Sequence, residues 1–194
     1  MDTNKYHHGD LKQQLIDNGL LLLNQAGVEG FSLRKVASMC GVSHSAPYKH
    51  FKDKESLINE IAKEVWKRFY LAIQEIATTY AENPKVQLVE MGKAYVKFMV
   101  ENPDYLKFMF LSENVFSINI KEKEFFVDDN AFDIFKSSAE NYFKSINLDK
   151  EQYLEKTLAM WSLVHGITIL IIQKSILYDG DYLQLVENII KNNI

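Results

Sequence analysis

The stretch Phe31-Ser-Leu-Arg-Lys-Val-Ala-Ser-Met-Cys-Gly-Val-Ser-His-Ser-Ala-Pro-Tyr-Lys-His-Phe51 decides how the chain is read. Ser32 suits the cap of a short helix through Met39, Gly41 turns the chain, and Ser43 opens a second short helix ending near His50. Leu33, Val36, Ala37, Val42, Tyr48 and Phe51 supply the apolar anchors, and Ala37 is small where the two helices must approach closely. This spacing predicts a helix-turn-helix. In that geometry the second helix enters the major groove of DNA while the first crosses the backbone.

Outward from this stretch the periodicity stays helical. Residues 10–25 place Leu11, Leu15, Leu22 and Ala26 on one face and stop at Gly27. Asp53 begins a long helix, with Ser56 three residues on and Leu57, Ile61, Val65, Phe69 and Ile73 in steps of four. Asn83-Pro84 and Asn102-Pro103 mark helix boundaries, because the proline ring removes a donor and biases the preceding residue away from helix. Between them Leu88, Met91, Tyr95, Phe98 and Met99 form a helical face. Further helices are predicted over roughly 124–145, over 149–177, where Asp149 and Gln152 suit a capping box, and over 182–191. No β-hairpin signal stands out. The expected fold is all-α, with a three-helix DNA-binding domain over 1–54 and a larger helical domain over 55–194.

Composition narrows the class. The 194 residues carry 22 Lys+Arg and 26 Asp+Glu, a net charge of −4, and 47% are hydrophobic, an ordinary globular balance. The charge is uneven: residues 1–54 hold seven bases and five acids, so they are +2 and the rest is −6. His7, His8, His44 and His50 also fall there, where protonation near a polyanion adds positive charge. The single Cys40 excludes a disulfide framework and a Cys-rich zinc site, and a reducing cytoplasm is expected. Cys40 reads as a small buried hydrophobe. No signal peptide opens the chain, and the most apolar run, Leu163 to Ile172, is interrupted by His165, Gly166 and Thr168, so no membrane insertion is expected. His7, His8 and Asp10 offer two imidazoles and a carboxylate, but adjacent histidines in an extended arm point apart, and the expectation is Asp10 as a helix cap with no metal site.

The pattern L-R-x-V-A-x-x-x-G-V-S-x-x-x-x-Y-x-H-F over Leu33 to Phe51, followed by Asp53-Lys54-Glu55-Ser56-Leu57, resembles the TetR/AcrR family of bacterial transcriptional regulators. Tyr6-His7-His8-Gly9-Asp10-Leu11 and Trp161-Ser-Leu-Val-His165-Gly166 are similar to a branch with a Trp-His-Gly element in its C-terminal domain. The resemblance implies that Ser32 and Arg34 meet phosphate and that Ser43, His44, Ser45 and Ala46 lie near base edges. It implies that Tyr48, Lys49 and His50 touch backbone or flanking bases, and that Lys54 reaches phosphate. Tyr48 also suits a core aromatic with its hydroxyl at the surface. Relatives often carry Gly or Ala at the Ser45 position, so base preference does not transfer.

The resemblance also implies a pocket for a small apolar or amphipathic effector in the C-terminal domain, where Met and aromatic residues accumulate. Phe69, Phe98, Tyr105, Phe108, Met109, Phe135, Trp161 and His165 are its candidate lining, each equally suited to core packing. Gly166, beside His165, suits a close helix approach or a kink. The last two helices carry Leu158, Ile167, Ile169, Leu170, Ile171, Ile172, Ile176, then Leu183, Leu185, Val186, Ile189 and Ile190, apolar on more than one face. A second subunit would bury the excess. The expected protein is therefore a homodimeric repressor of an inverted-repeat, double-stranded DNA operator, released by its effector and needing no cofactor. The rivals are a coactivator that binds protein instead of DNA and a helical enzyme with an aromatic pocket. The enzyme lacks a recognisable nucleophile and base, carboxylate pair, phosphate loop or metal cluster.

Overall fold

The computed structural model describes residues 11–111, 118–122, 124–126 and 130–194. His7, His8, Asp10 and the aromatic Phe116 lie outside the described residues. Eight α-helices are present among those described: α1 (Leu11–Gly30), α2 (Leu33–Met39), α3 (Lys54–Thr79), α4 (Pro84–Glu101), α5 (Pro103–Phe110), α6 (Asn130–Ser145), α7 (Tyr153–Ile172) and α8 (Tyr182–Asn193). Short 3-10 turns occupy Ala46–Lys49 and Lys150–Gln152, and two short strands, β1 (Asn119–Lys121) and β2 (Glu124–Phe126), pair antiparallel. The described residues up to Trp66 and from 104 to 111 form one compact unit; Lys67–Pro103 and the described residues from 118 onward form a second.

In the first unit, Leu15, Leu20, Leu22 and Leu23 of α1 are buried, as are Phe31, Leu33, Val36, Ala37, Phe51, Leu57, Ile61 and Val65. Each large side chain removed from water here contributes roughly 1.5–3 kcal/mol. Gly19 lets α1 sit close to α3, since a Cβ on it would stand 2.7 Å from Ile61 Cδ1. Leu11 is only half-buried and Ala26 is exposed, so the apolar face of α1 is narrower than the periodicity suggests. The expected stop at Gly27 is present as a break in the helix, with φ 65 and ψ −179, after which one more turn reaches Gly30. The buried Asn24 amide donates to the Asp104 carbonyl at 3.0 Å, and the Lys107 ammonium donates to the Asn24 carbonyl, so α5 is stitched to α1.

α3 opens on a reciprocal cap: Ser56 N–H donates to Asp53 Oδ1 at 2.8 Å, and Asp53 N–H donates to Ser56 Oγ at 3.1 Å. Its stripe Leu57, Ile61, Val65, Phe69 and Ile73 is buried throughout. α4 starts at Pro84 with Asn83 accepting from Val86 N–H, as the Asn-Pro signal predicts.

In the second unit, α4 lies against α6, α7 and α8. A Cβ on Gly92 would fall 2.5 Å from Ile190 Cδ1, so a bare backbone there sets the α4–α8 distance. Lys93 Nζ bridges Glu90 at 2.9 Å and Glu187 of α8 at 2.8 Å. The Lys191 and Lys93 ammonium groups hold the Glu187 carboxyl down to about 2, from a usual 4.5. A depressed carboxylate adds stability above its unfolded pKa and loses it as pH falls through the folded one. The thermal midpoint should therefore decline between about pH 4.5 and pH 2, and Glu187→Gln should flatten that decline in a pH series of melting curves.

Outside the motif, three expected element boundaries and caps need correction. Residues 124–126 are not helical: β2 pairs with β1 in the register Asn119↔Phe126, Ile120↔Phe125 and Lys121↔Glu124, and α6 begins only at Asn130. The hairpin carries no Asn-Gly or Asp-Gly turn, and Glu122 adopts φ 50 instead. The helix expected to reach 177 ends at Ile172. Lys174 takes φ 56, Ser175 N–H bonds the Leu170 carbonyl at 2.9 Å, and Lys174 N–H bonds that of Ile171 at 3.0 Å, a Schellman stop built without glycine. At its other end Asp149 accepts from Glu151 N–H at 3.0 Å, capping the 3-10 turn rather than forming a box with Gln152.

α7 carries a further surprise. Lys150–Ile172 is long and apolar enough, by length and composition, to cross a membrane, and only 17% of its most apolar stretch is buried within the chain. Thr157, Val164 and Thr168 are the buried residues of α7, and Val186 and Ile190 those of α8. Leu170, Ile176, Leu177 and Tyr178 are exposed, Leu177 at 86%.

Candidate nucleic-acid interface

The turn that defines the motif follows from two residues. Ser32 Oγ accepts from Lys35 N–H at 3.3 Å and starts α2. Gly41, at φ 68, ends it: Val42 N–H bonds the Ala37 carbonyl at 3.0 Å and Gly41 N–H bonds that of Ser38 at 3.1 Å. A Cβ on Gly41 would meet nothing within 4 Å, so the requirement is one of backbone conformation alone. Gly41→Ala should therefore cost roughly 1–2 kcal/mol in urea unfolding without a packing defect.

The expected second helix is instead a single 3-10 turn, Ala46–Lys49. Pro47 has no N–H to offer the Ser43 carbonyl, as an α-helix would require, and Ala46 N–H takes that acceptor at 2.9 Å. Tyr48 N–H then bonds the Ser45 carbonyl and His50 N–H that of Pro47. The tighter winding also changes which side chain anchors the turn. Pro47 is buried and Tyr48 is 55% exposed, so Tyr48 is not one of the apolar anchors; Val42 is half-buried, while Leu33, Val36, Ala37 and Phe51 hold the expected positions.

Most of the candidate DNA-contacting side chains are solvent-exposed. Arg34, Ser43, His44, Ser45, Tyr48, Lys49 and His50 are exposed, and Ser32, Ala46 and Lys54 are half-exposed. Ser43 and Ser45 share a hydroxyl contact at 3.2 Å. Lys54 Nζ donates to the Val28 carbonyl at 3.2 Å and Lys35 Nζ to that of Gly30 at 2.7 Å, so both ammonium groups brace the segment after the Gly27 break. Lys12 pairs with Glu60 at 3.0 Å and lies 6.0 Å from the centre of the Phe51 ring. The half-buried Cys40 thiol donates to the Gln14 carbonyl and accepts from Asn18 Nδ2 at 3.4 Å; burial pushes its pKa up, which keeps it a protonated packing group.

The candidate effector residues divide between the two units. Tyr105, Phe108 and Met109 belong to the first, where Tyr105 and Met109 are buried and Phe108 is half-buried. The other five belong to the second and join in a run of ring contacts. Phe98 meets Phe69 at 5.5 Å, Phe69 meets Tyr95 at 5.7 Å, and Tyr95 meets His165 at 6.2 Å. His165 stacks on Trp161 at 5.1 Å and 26°, Trp161 meets Phe132 at 6.4 Å, and Phe132 meets Phe135 at 5.9 Å. Tyr95 and Phe132 are the links that the sequence reading left out of the set. Their spacing was the available signal, since Tyr95 and Phe98, and Phe132 and Phe135, are each three apart on one helix. The Tyr95 hydroxyl and His165 Nδ1 share a hydrogen bond at 2.6 Å. Burial raises the phenol well above its usual range and lowers the imidazole, so this polar pair is neutral at pH 7.

Comparison with known proteins agrees with this geometry. Residues 15–61 match the model for bacterial regulatory proteins of the tetR family, and residues 88–192, more than half the chain, match that for the tetracyclin repressor-like C-terminal domain. An HTH-type transcriptional regulator of Staphylococcus aureus (strain USA300) is 24% identical over 135 residues, 69% of this chain and 71% of the relative. Among solved structures, a protein of unknown function from Rhodococcus sp. RHA1 superposes with a TM-score of 0.72 at 22% identity, covering 98% of this chain and 97% of that one. The transcriptional regulator FadR of Bacillus subtilis, solved in complex with stearoyl-CoA, gives a TM-score of 0.64 at 12% identity, covering 94% and 97%. With both halves matched and the motif in place, the chain belongs to the TetR family of bacterial regulatory proteins and is a helix-turn-helix, DNA-binding transcription regulator rather than an enzyme.

Proposed function

We propose that the protein is a cytoplasmic repressor that binds an inverted-repeat operator as a homodimer and leaves it when a small amphipathic effector binds. The observation that carries the DNA half of this reading is the exposed set Arg34, Ser43, His44, Ser45, Tyr48, Lys49 and His50, grouped on the two arms of one tight turn. Arg34 and Lys49 supply phosphate contacts, with Ser32, Tyr48, His50 and, once released from Val28, Lys54 beside them. Ser43, His44, Ser45 and Ala46 face base edges.

The half-buried apolar residues of α7 and α8, together with the exposed Leu170, support the homodimer. A Cβ built on Gly166 would meet no atom of the described residues within 4 Å, so the close approach that a helical glycine allows is open to a helix of a second copy. Two copies of α7 and α8 packed together would cover Leu170 and the half-buried residues beside it.

The effector reading is supported by the ring cluster from Phe98 to Phe135, whose Tyr95–His165 pair places one polar handle among aromatic faces. The likeness to a regulator solved with stearoyl-CoA makes a long acyl chain the first class to test. The repression mechanism needs an effector with higher affinity for the DNA-incompatible state, with α3, which continues from one unit into the other, as the lever.

The test is binding to duplexes from upstream of the protein's own gene, against random duplex, across a salt series, then repeated with stearoyl-CoA or stearate. Selective, steeply salt-dependent binding that either ligand weakens supports the full reading. Selective binding unmoved by both retains the regulator and removes the acyl class. Binding that fails to discriminate favours the protein-binding coactivator.

A further inference from the structure

Ser38 lies on α2, outside the set of residues assigned to DNA. Its hydroxyl is 3.0 Å from the Arg34 carbonyl and 3.4 Å from Nε2 of the exposed His44. A hydroxyl has one proton to give. The shorter contact takes it, because a carbonyl one helical turn back can only accept. Ser38 Oγ is thereby left with lone pairs toward His44, and the imidazole must meet them with Nε2–H. A neutral imidazole that carries its proton on Nε2 has an acceptor on Nδ1.

We propose that Ser38 is a specificity-determining positioning residue: by fixing the tautomer of His44, it makes Nδ1 a hydrogen-bond acceptor on the DNA-reading surface. The base edges that complement an acceptor in the major groove are the amino groups of adenine N6 and cytosine N4. Guanine N7 and O6 and thymine O4 are acceptors themselves and are disfavoured at the same position. The discrimination is thus between amino-bearing and keto-bearing bases at one base pair of each half-site. Ser43 and Ser45, whose hydroxyls bond each other at 3.2 Å, can rotate to donate or accept and impose no such choice.

This rests on the proposal above that His44 faces DNA. The experiment is selection of bound duplexes from a random library at pH 8 by wild type, Ser38→Ala, Ser38→Thr and His44→Ala. Wild type and Ser38→Thr should share an adenine or cytosine preference at one position per half-site. Ser38→Ala should lose about five-fold of it, the equivalent of one ordinary hydrogen bond, while its melting temperature and overall affinity stay close to wild type. His44→Ala should abolish the preference at that same position. If His44→Ala leaves every position unchanged, His44 does not read bases and the underlying placement fails. If His44→Ala erases the preference but Ser38→Ala keeps it, or if wild type prefers guanine or thymine there, the placement survives and the role of Ser38 is overturned.

Discussion

Gly166→Arg should convert the protein to a monomer and lower operator affinity by at least ~100-fold, with no loss of helix content. Within the described residues a Cβ at this position meets no atom within 4 Å, so a side chain can leave the helix there without a clash at its first atom. Replacing a helical glycine also favours the helix by up to about 1 kcal/mol. In the proposed dimer, an arginine would hold two α7 helices apart and bury a charge without a partner. Loss of the second subunit removes the effective-concentration gain of two linked half-site contacts, about 10²–10⁴. Sedimentation velocity at micromolar concentration reads the first effect and operator titration the second. A dimeric variant with normal affinity would remove α7 from the interface.

The second large effect lies at the DNA surface. Arg34→Ala combined with Lys49→Ala removes two cations per chain, and so four per homodimer. The slope of log affinity against log salt should fall by close to four, at about 0.9 per phosphate contact. Affinity near physiological salt should drop at least ~100-fold across all sequences, without a change in the preferred operator. Both side chains are exposed, so the fold should be unaffected. A retained slope would exclude them as phosphate contacts. The corresponding change at Lys54 should be smaller, since its ammonium first has to leave the Val28 carbonyl.

The parts of the structure that follow from one residue and its immediate neighbours could be read from the sequence. Ser32, Gly41, Asn83-Pro84 and the Asp53/Ser56 pair each fix a local backbone geometry, and the helices they bound are present. The four-residue steps of α3 are likewise visible because a long helix repeats its pattern often enough to exceed chance. What escaped depends on competition between signals. The recognition segment is apolar and polar at helical intervals, yet Pro47, four residues after Ser43, cannot donate the bond to the Ser43 carbonyl that an α-helix would make, and a 3-10 turn results. Burial of Pro47 then displaces Tyr48 to the surface. The hairpin at 119–126 is too short to show alternation, and α7 ends where Lys174 adopts a conformation usually left to glycine.

The ring cluster shows the same limit from another side. Aromatic richness was visible, but which rings meet depends on how α4, α6 and α7 pack, and that is set by features such as the bare backbone at Gly92. Tyr95 and Phe132 are indistinguishable by type from their neighbours until the contacts place them as links. Tyr105, Phe108 and Met109 looked equivalent to Phe69 and Phe98 in composition, and the contact pattern assigns them to the other compact unit.

The central claim is that two copies of this chain read an inverted repeat. The measurement that tests it most directly is the mass, by analytical ultracentrifugation, of the complex formed on duplexes enriched from a random library, together with the symmetry of the enriched sequence. The account predicts two-fold related half-sites about one helical turn, or a multiple of it, apart, with chains bound in twos. An enriched sequence without two-fold symmetry, bound by a single chain, would contradict it.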